Sequence, residues 1–126
     1  MNDTPLNEAL PTLSSEVLDQ LRDLVDEETP NFLKDLLHSF LNDATEHTQA
    51  MKEGLLENDL GKVLKASHTL KSSSANLGAL RLSQCCKTIE FACRNQIQEG
   101  LEAAIKQSQA ELEKVRQEMV HLPDYN

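Results

Sequence analysis

The sequence predicts an all-α chain: an up-down antiparallel four-helix bundle with an additional short N-terminal helix. Three observations carry this. From Ser14 onward, apolar residues recur at spacings of three and four and never in strict alternation. The connections between these stretches are only a few residues long, which forces consecutive helices to lie antiparallel. At roughly 100–200 residues per domain, the 126 residues make a single domain, 1–126, able to fill a modest core without disulfides or a structural metal. Residues 1–13 and 122–126 fall outside the periodic stretches and read as flexible tails.

The first helix repeats at Val17, Leu18, Leu21, Leu24 and Val25, from Ser14 to about Glu28, with Ser14 or Ser15 as its cap. A second begins near Thr29-Pro30, Thr as N-cap and Pro in the first helical position. Its stripe of Leu33, Leu36, Leu37, Phe40, Leu41, Ala44, Met51 and Leu55 makes it long. Asn58-Asp59 supplies a turn and the next N-cap. The third helix runs on Leu60, Val63, Leu64, Ser67, Leu70, Ser74 and Leu77 until Gly78 ends it. A fourth repeats at Leu82, Cys85, Cys86, Ile89 and Cys93. A fifth repeats at Leu101, Ile105, Ser108, Leu112, Val115, Met119 and Leu122 before Pro123. Helices two to five are each expected to reach roughly 18 to 25 residues, with the short first helix capping one end or flank. The heptad-like fifth helix also suits a coiled-coil dimer, but three heptads are better read as bundle core.

Composition excludes several functions. A formal charge of −9 and 3% aromatics argue against nucleic-acid binding, which calls for a basic face and stacking rings. No apolar run approaches the roughly 18 residues of a membrane span. The opening Met1-Asn2-Asp3-Thr4-Pro5 lacks the basic-then-apolar build of a signal peptide, so a cytoplasmic protein is expected. Cys85, Cys86 and Cys93 have no C-x-x-C or metal spacing, and a seven-residue helical rise of about 10 Å separates Cys86 from Cys93. They read as buried, reduced thiols.

The acidity is unevenly spread. Residues 1–57 hold 13 acids and 3 bases, and residues 83–126 hold 7 acids and 5 bases. Between them, Lys62, Lys65, Lys71 and Arg81 stand against Asp59 alone, and this basic segment contains His68. On a helical wheel with Val63 at zero, the core face spans about −40° to 60°, while His68 falls at about 140°. Around it lie Gly61, Ser72 and Ala75, with Lys71 and Lys65 to either side. An imidazole is thus expected to stand exposed at mid-helix among small residues, sterically open to a large partner. A neutral ring offers a nucleophilic nitrogen near pH 7, since its reference pKa is about 6.5, and the lysines favour an anion such as a phosphoryl group. No Ser/His/Asp set, phosphate-cradling glycine loop or carboxylate cluster for Mg²⁺ accompanies it.

The run Ser67-His68-Thr69-Leu70-Lys71-Ser72-Ser73-Ser74-Ala75-Asn76-Leu77-Gly78-Ala79 resembles the signature of histidine-containing phosphotransfer (HPt) domains. That signature reads His-x-Leu-Lys-Gly-Ser/Ala-Ser/Ala, then Leu-Gly-Ala. Leu82, Cys86 and Ile89-Glu90 resemble the family's downstream stretch. The resemblance implies that His68 accepts a phosphoryl group from a receiver-domain aspartyl phosphate and passes it to another receiver, as one step of a multistep two-component phosphorelay. It implies partners in the receiver domain of a hybrid sensor histidine kinase and in a response regulator, with the chain itself a monomer. It implies no cofactor on this chain, Mg²⁺ belonging to the receiver, and neither ATP binding nor kinase activity. Lys71 matches the lysine that contacts phosphoryl oxygens. Glu90 matches the position whose side chain holds the histidine, accepting from Nδ1–H and leaving Nε2 to attack.

Lys65 has no strong equivalent in the family. Gly61, Leu64, Lys65 and Ala75 are candidate partner contacts. One departure stands at Ser72, where the family usually has glycine to let the receiver approach; slower or more selective transfer is expected. His47, between Ala44 and Met51, reads as a partly buried core residue. His38 lies on a polar flank and His121 near a frayed end. Two rival readings are a helical module that docks a receiver or kinase without transferring phosphate, and a histidine-kinase fragment. The second is disfavoured because no nucleotide-binding segment is visible.

Overall fold

The computed structural model describes residues 9–126; the part of the expected N-terminal tail at 1–8 lies outside them. Five α-helices follow one another: α1 (Ser15–Arg22), α2 (Phe32–Leu56), α3 (Leu60–Leu77), α4 (Leu80–Arg94) and α5 (Leu101–Met119). The ring closes as expected, α2 packing on α3, α3 on α4, α4 on α5, and α5 back on α2. Each contributes its stripe to one core, with Leu37, Leu41, Met51, Val63, Leu70, Leu82, Cys86, Ile89, Leu101, Val115 and Met119 fully buried. Helix α4, at 15 residues, covers its periodic stretch but falls short of the length expected of a bundle helix. No helix among the described residues is long and apolar enough to cross a membrane.

The turns show why the elements stop where they do. Asp59 caps α3, its side chain accepting from the Lys62 amide at 3.0 Å. Gly78 ends α3 in the left-handed region at φ 85°, the conformation a helix stop demands and that only glycine adopts cheaply. Helix α1 sits over that turn: the Ser14 amide donates to the Gly78 carbonyl at 2.8 Å, and Ser14 Oγ caps the helix from Val17 N–H. At Gly54 helices α2 and α3 are in close contact, for a Cβ there would stand 2.8 Å from Val63 Cγ2.

Three sequence expectations need correction. Helix α1 ends at Arg22 and not near Glu28, because Leu24 and Val25 close i→i+3 turns; Val25 turns inward while Leu24 is exposed. Helix α2 begins at Phe32 with Asn31 as N-cap, since Asp26 Oδ1 gathers Glu28 N–H, Thr29 N–H and Thr29 Oγ1 into a turn of its own. Residues 122–126 are not a loose tail. Pro123–Tyr125 forms a 3-10 turn whose Asp124 takes a bidentate pair from Arg22, and whose Tyr125 ring stacks on His38 at 3.9 Å. His38 Nε2 also meets the Tyr125 carbonyl at 2.8 Å, so the histidine placed on a polar flank is half-buried under the C-terminus. His47 is half-buried as expected, and His121 is exposed.

Candidate functional site

Helix α3 presents His68 outward, 57% exposed, from the middle of the bundle. Its register follows from the core: Val63, Ser67, Leu70 and Ser74 face inward and leave His68 on the opposite flank, beside α4. There Leu82, Cys86, Ile89 and Cys93 fix α4 in turn and aim Glu90 at α3. Ser83 Oγ donates to the Lys71 carbonyl at 2.9 Å, pinning the two helices together beside the site.

Glu90 is the centre of the arrangement. Its carboxylate is 7% exposed and is met by three groups: His68 Nδ1 at 2.6 Å, Lys71 Nζ at 2.5 Å and Arg94 Nη2 at 2.9 Å. Lys71, ahead of Arg94 and His68, holds the carboxyl at about 2, well below its ordinary 4.5, while burial opposes this. An ionised carboxylate has no proton to give, so His68 Nδ1 must be the donor. In the neutral ring the lone pair is then on Nε2, the far nitrogen.

The sequence-derived residues fall into two groups. His68, Lys71 and Glu90 are brought into one cluster. Lys71 is half-buried against Glu90. Lys65, Ser72 and Ala75 are exposed on the outer face of α3, and neither the Lys65 ammonium nor the Ser72 hydroxyl has a partner among the described residues. Gly61 is exposed, and a Cβ there would find only Asp59 Oδ1, at 3.4 Å. Leu64 is half-buried against the core and offers only an edge. The open, small-residue surroundings of the histidine are therefore present.

The basic segment is smaller than its composition suggested. Arg81 turns away to the buried Glu111, at 3.0 Å, and Lys62 is held by Glu53 and Glu57. Arg94 takes their place beside the histidine and escaped the sequence reading; its signal was the four-residue spacing from Glu90 on one helix face. Cys85, Cys86 and Cys93 are free and buried, as expected. Among the described residues no group of three or more His, Cys, Asp or Glu side chains gathers in a metal-holding arrangement.

Comparison with known proteins agrees with the fold. The crystal structure of histidine-containing phosphotransfer protein B (HptB) from Pseudomonas aeruginosa PAO1 superposes with a TM-score of 0.76 and 29% identity, covering 84% of this chain and 89% of that one. Histidine-containing phosphotransfer protein 5 of Arabidopsis thaliana is 31% identical over 91 residues, 70% of this chain; the chain spans 58% of that relative's length. Pseudo histidine-containing phosphotransfer protein 2 of Oryza sativa subsp. japonica is 24% identical over 106 residues, 82% of this chain and 70% of that one. The Hpt domain family model matches residues 35–118, from the first turn of α2 to the last turn of α5 and so across the whole cluster around Glu90. With well over half of its length matched, the chain belongs to the Hpt domain family.

Proposed function

We propose that this protein is a phosphocarrier of a multistep two-component phosphorelay, with His68 the residue that takes up and hands on the phosphoryl group. One observation carries the reading: an exposed imidazole whose Nδ1 lies 2.6 Å from the buried Glu90 carboxylate; with that carboxylate accepting from Nδ1–H, a neutral ring keeps its lone pair on Nε2. The partner is a receiver domain bearing an aspartyl phosphate, first that of a hybrid sensor kinase and then that of a response regulator.

In the transfer, the Nε2 lone pair attacks phosphorus in line. The N–P bond forms as the P–O bond to the receiver aspartate breaks, and that aspartate leaves as a carboxylate. The ring keeps its Nδ1 proton and gains positive charge, which Glu90 offsets. Lys71 and Arg94, already beside Glu90, are the cations within reach of the incoming phosphoryl oxygens; the receiver supplies Mg²⁺ and this chain supplies no cofactor. Such chemistry needs little beyond positioning and charge neutralisation. Both the phosphoramidate and the acyl phosphate are high-energy, so the transfer runs in either direction. Ser72 stands beside the path of approach and is the residue expected to make it more selective.

The test is incubation with a phosphorylated receiver, followed by a search for acid-labile, base-stable label. Wild-type protein takes up label and His68→Gln does not. Label on the variant overturns the assignment of His68. A wild-type chain that binds the receiver and never takes label is a docking module instead.

A further inference from the structure

Five large apolar side chains stand exposed among the described residues: Leu24, Phe32, Leu56, Phe91 and Val120. Four of them lie at helix ends or in the α1–α2 connection. Phe91 differs. It is 52% exposed on α4, one residue beyond Glu90, and opposite the core stripe of Leu82, Cys86, Ile89 and Cys93. Single exposed apolar residues are ordinary on protein surfaces; the setting of this one is not. On the α4 wheel Lys87 and Arg94 lie within about 60° of Phe91, on the side towards Glu90. Lys87 is exposed and makes no ion pair among the described residues. Across the α3–α4 seam the surface continues through His68, Ser72, Ala75 and Lys65.

This strip is an aromatic ring framed by cations on a protein whose net charge is −9. Its charge suits an acidic partner, and aromatic side chains ringed by polar groups are the usual energetic anchors of protein interfaces. Size places it within reach of the reaction. A standard interface covers about 800 Å² per partner, a disc roughly 16 Å in radius. Neighbouring Cα atoms are only about 3.8 Å apart, so a footprint centred on His68 and its Glu90 partner takes in Phe91.

We propose that Phe91, framed by Lys87 and Arg94, is the apolar anchor by which the α3–α4 face holds a receiver domain, and that it sets which receivers this carrier serves. The inference rests on the phosphotransfer reading above. Docking brings the acidic pocket of the receiver over Nε2, while its apolar rim covers the Phe91 ring. Lys87 steers the encounter, and the acidic remainder of the surface turns other approaches away.

The experiment uses two phosphodonors: phosphoramidate, which needs no docking, and a panel of isolated receiver domains phosphorylated with acetyl phosphate. Phe91→Ser takes label from phosphoramidate at the wild-type rate and melts at the wild-type temperature. With its best receiver, its KM rises about tenfold or more, and Phe91→Leu recovers most of the loss. Lys87→Glu slows uptake from the receiver at low salt and flattens the salt dependence. An unchanged KM for Phe91→Ser across the panel overturns the inference while leaving the phosphotransfer reading intact. A wild-type chain labelled by phosphoramidate and by no receiver overturns the choice of partner. Absence of label on wild type from either donor overturns the phosphotransfer reading itself.

Discussion

Two buried glutamates on neighbouring helices meet similar partners and do different things. Glu90 on α4 holds Lys71, Arg94 and His68; Glu111 on α5 holds Arg81, Lys114 and the amide of Gln107. Glu111 is 0% exposed and its principal partner, Arg81, is nearly buried as well. Lys114 and Gln107 reach Glu111 from the exposed side of α5, and the Arg81 pair ties the start of α4 to α5. Glu90 has two partners that are mostly in water, the imidazole and the Arg94 guanidinium, and a half-buried third in Lys71; what sets it apart is that one of them is a histidine. The difference teaches that a buried carboxylate with cations is not by itself a reactive centre. On the proposed phosphotransfer reading, it becomes one when it fixes the tautomer of a histidine that remains open to a partner.

Breaking each cluster should separate the two roles. The largest effect is expected for Glu111→Ala, which leaves Arg81 uncompensated in the interior and costs about 3–5 kcal/mol of stability by urea denaturation. Its folded fraction still takes label at the wild-type rate. Glu90→Ala should destabilise less, because Lys71 and Arg94 can turn to solvent, yet slow label uptake about 10–100-fold, the scale of losing a histidine's outer partner. Glu90→Gln sharpens this, for its carbonyl still accepts from Nδ1–H. It should recover most of the rate, unless the negative charge is needed beyond holding the tautomer.

The pH dependence follows with a definite sign. The Glu90 carboxyl is depressed from 4.5 to about 2 in the folded protein. Its ionised form therefore stabilises the fold above about pH 4.5, and that contribution is lost as pH falls towards 2. The stability gap between wild type and Glu90→Gln, followed by acid titration of thermal melts, should be full at neutral pH and shrink across that window. The smallest effect belongs to Ser74, whose buried hydroxyl has no hydrogen-bond partner among the described residues. Ser74→Ala should raise stability by up to about 1 kcal/mol, without altering transfer.

The same contrast explains what was legible in the sequence. The bundle, its core stripes, the Ser14, Asp59 and Gly78 stops and the outward position of His68 follow from local periodicity and capping, which depend on near neighbours. Glu90 was legible through the motif. Arg94 was not, because a Glu-to-Arg spacing of four also describes an ordinary surface pair. Arg81 was assigned to the basic island because charge counted along the chain is blind to a partner thirty residues away. The C-terminal turn was missed for the same reason: Arg22 and Asp124 are 102 residues apart. The overlong α1 reflects Leu24 and Val25 keeping helical spacing after hydrogen bonding has already passed to turns.

The three cysteines have a practical consequence for following the relay. All are buried, and burial pushes the thiols of Cys85 and Cys93 up to about 11 and that of Cys86 higher still. Thiolates are what maleimides attack, so the native protein is close to silent towards such reagents at neutral pH. A single Asn76→Cys, exposed near the end of α3 and not among the small residues around His68, therefore accepts a fluorophore selectively, with no native cysteine removed. At the rim of that face, the dye would turn the arrival and departure of a receiver, the proposed partner, into a stopped-flow signal.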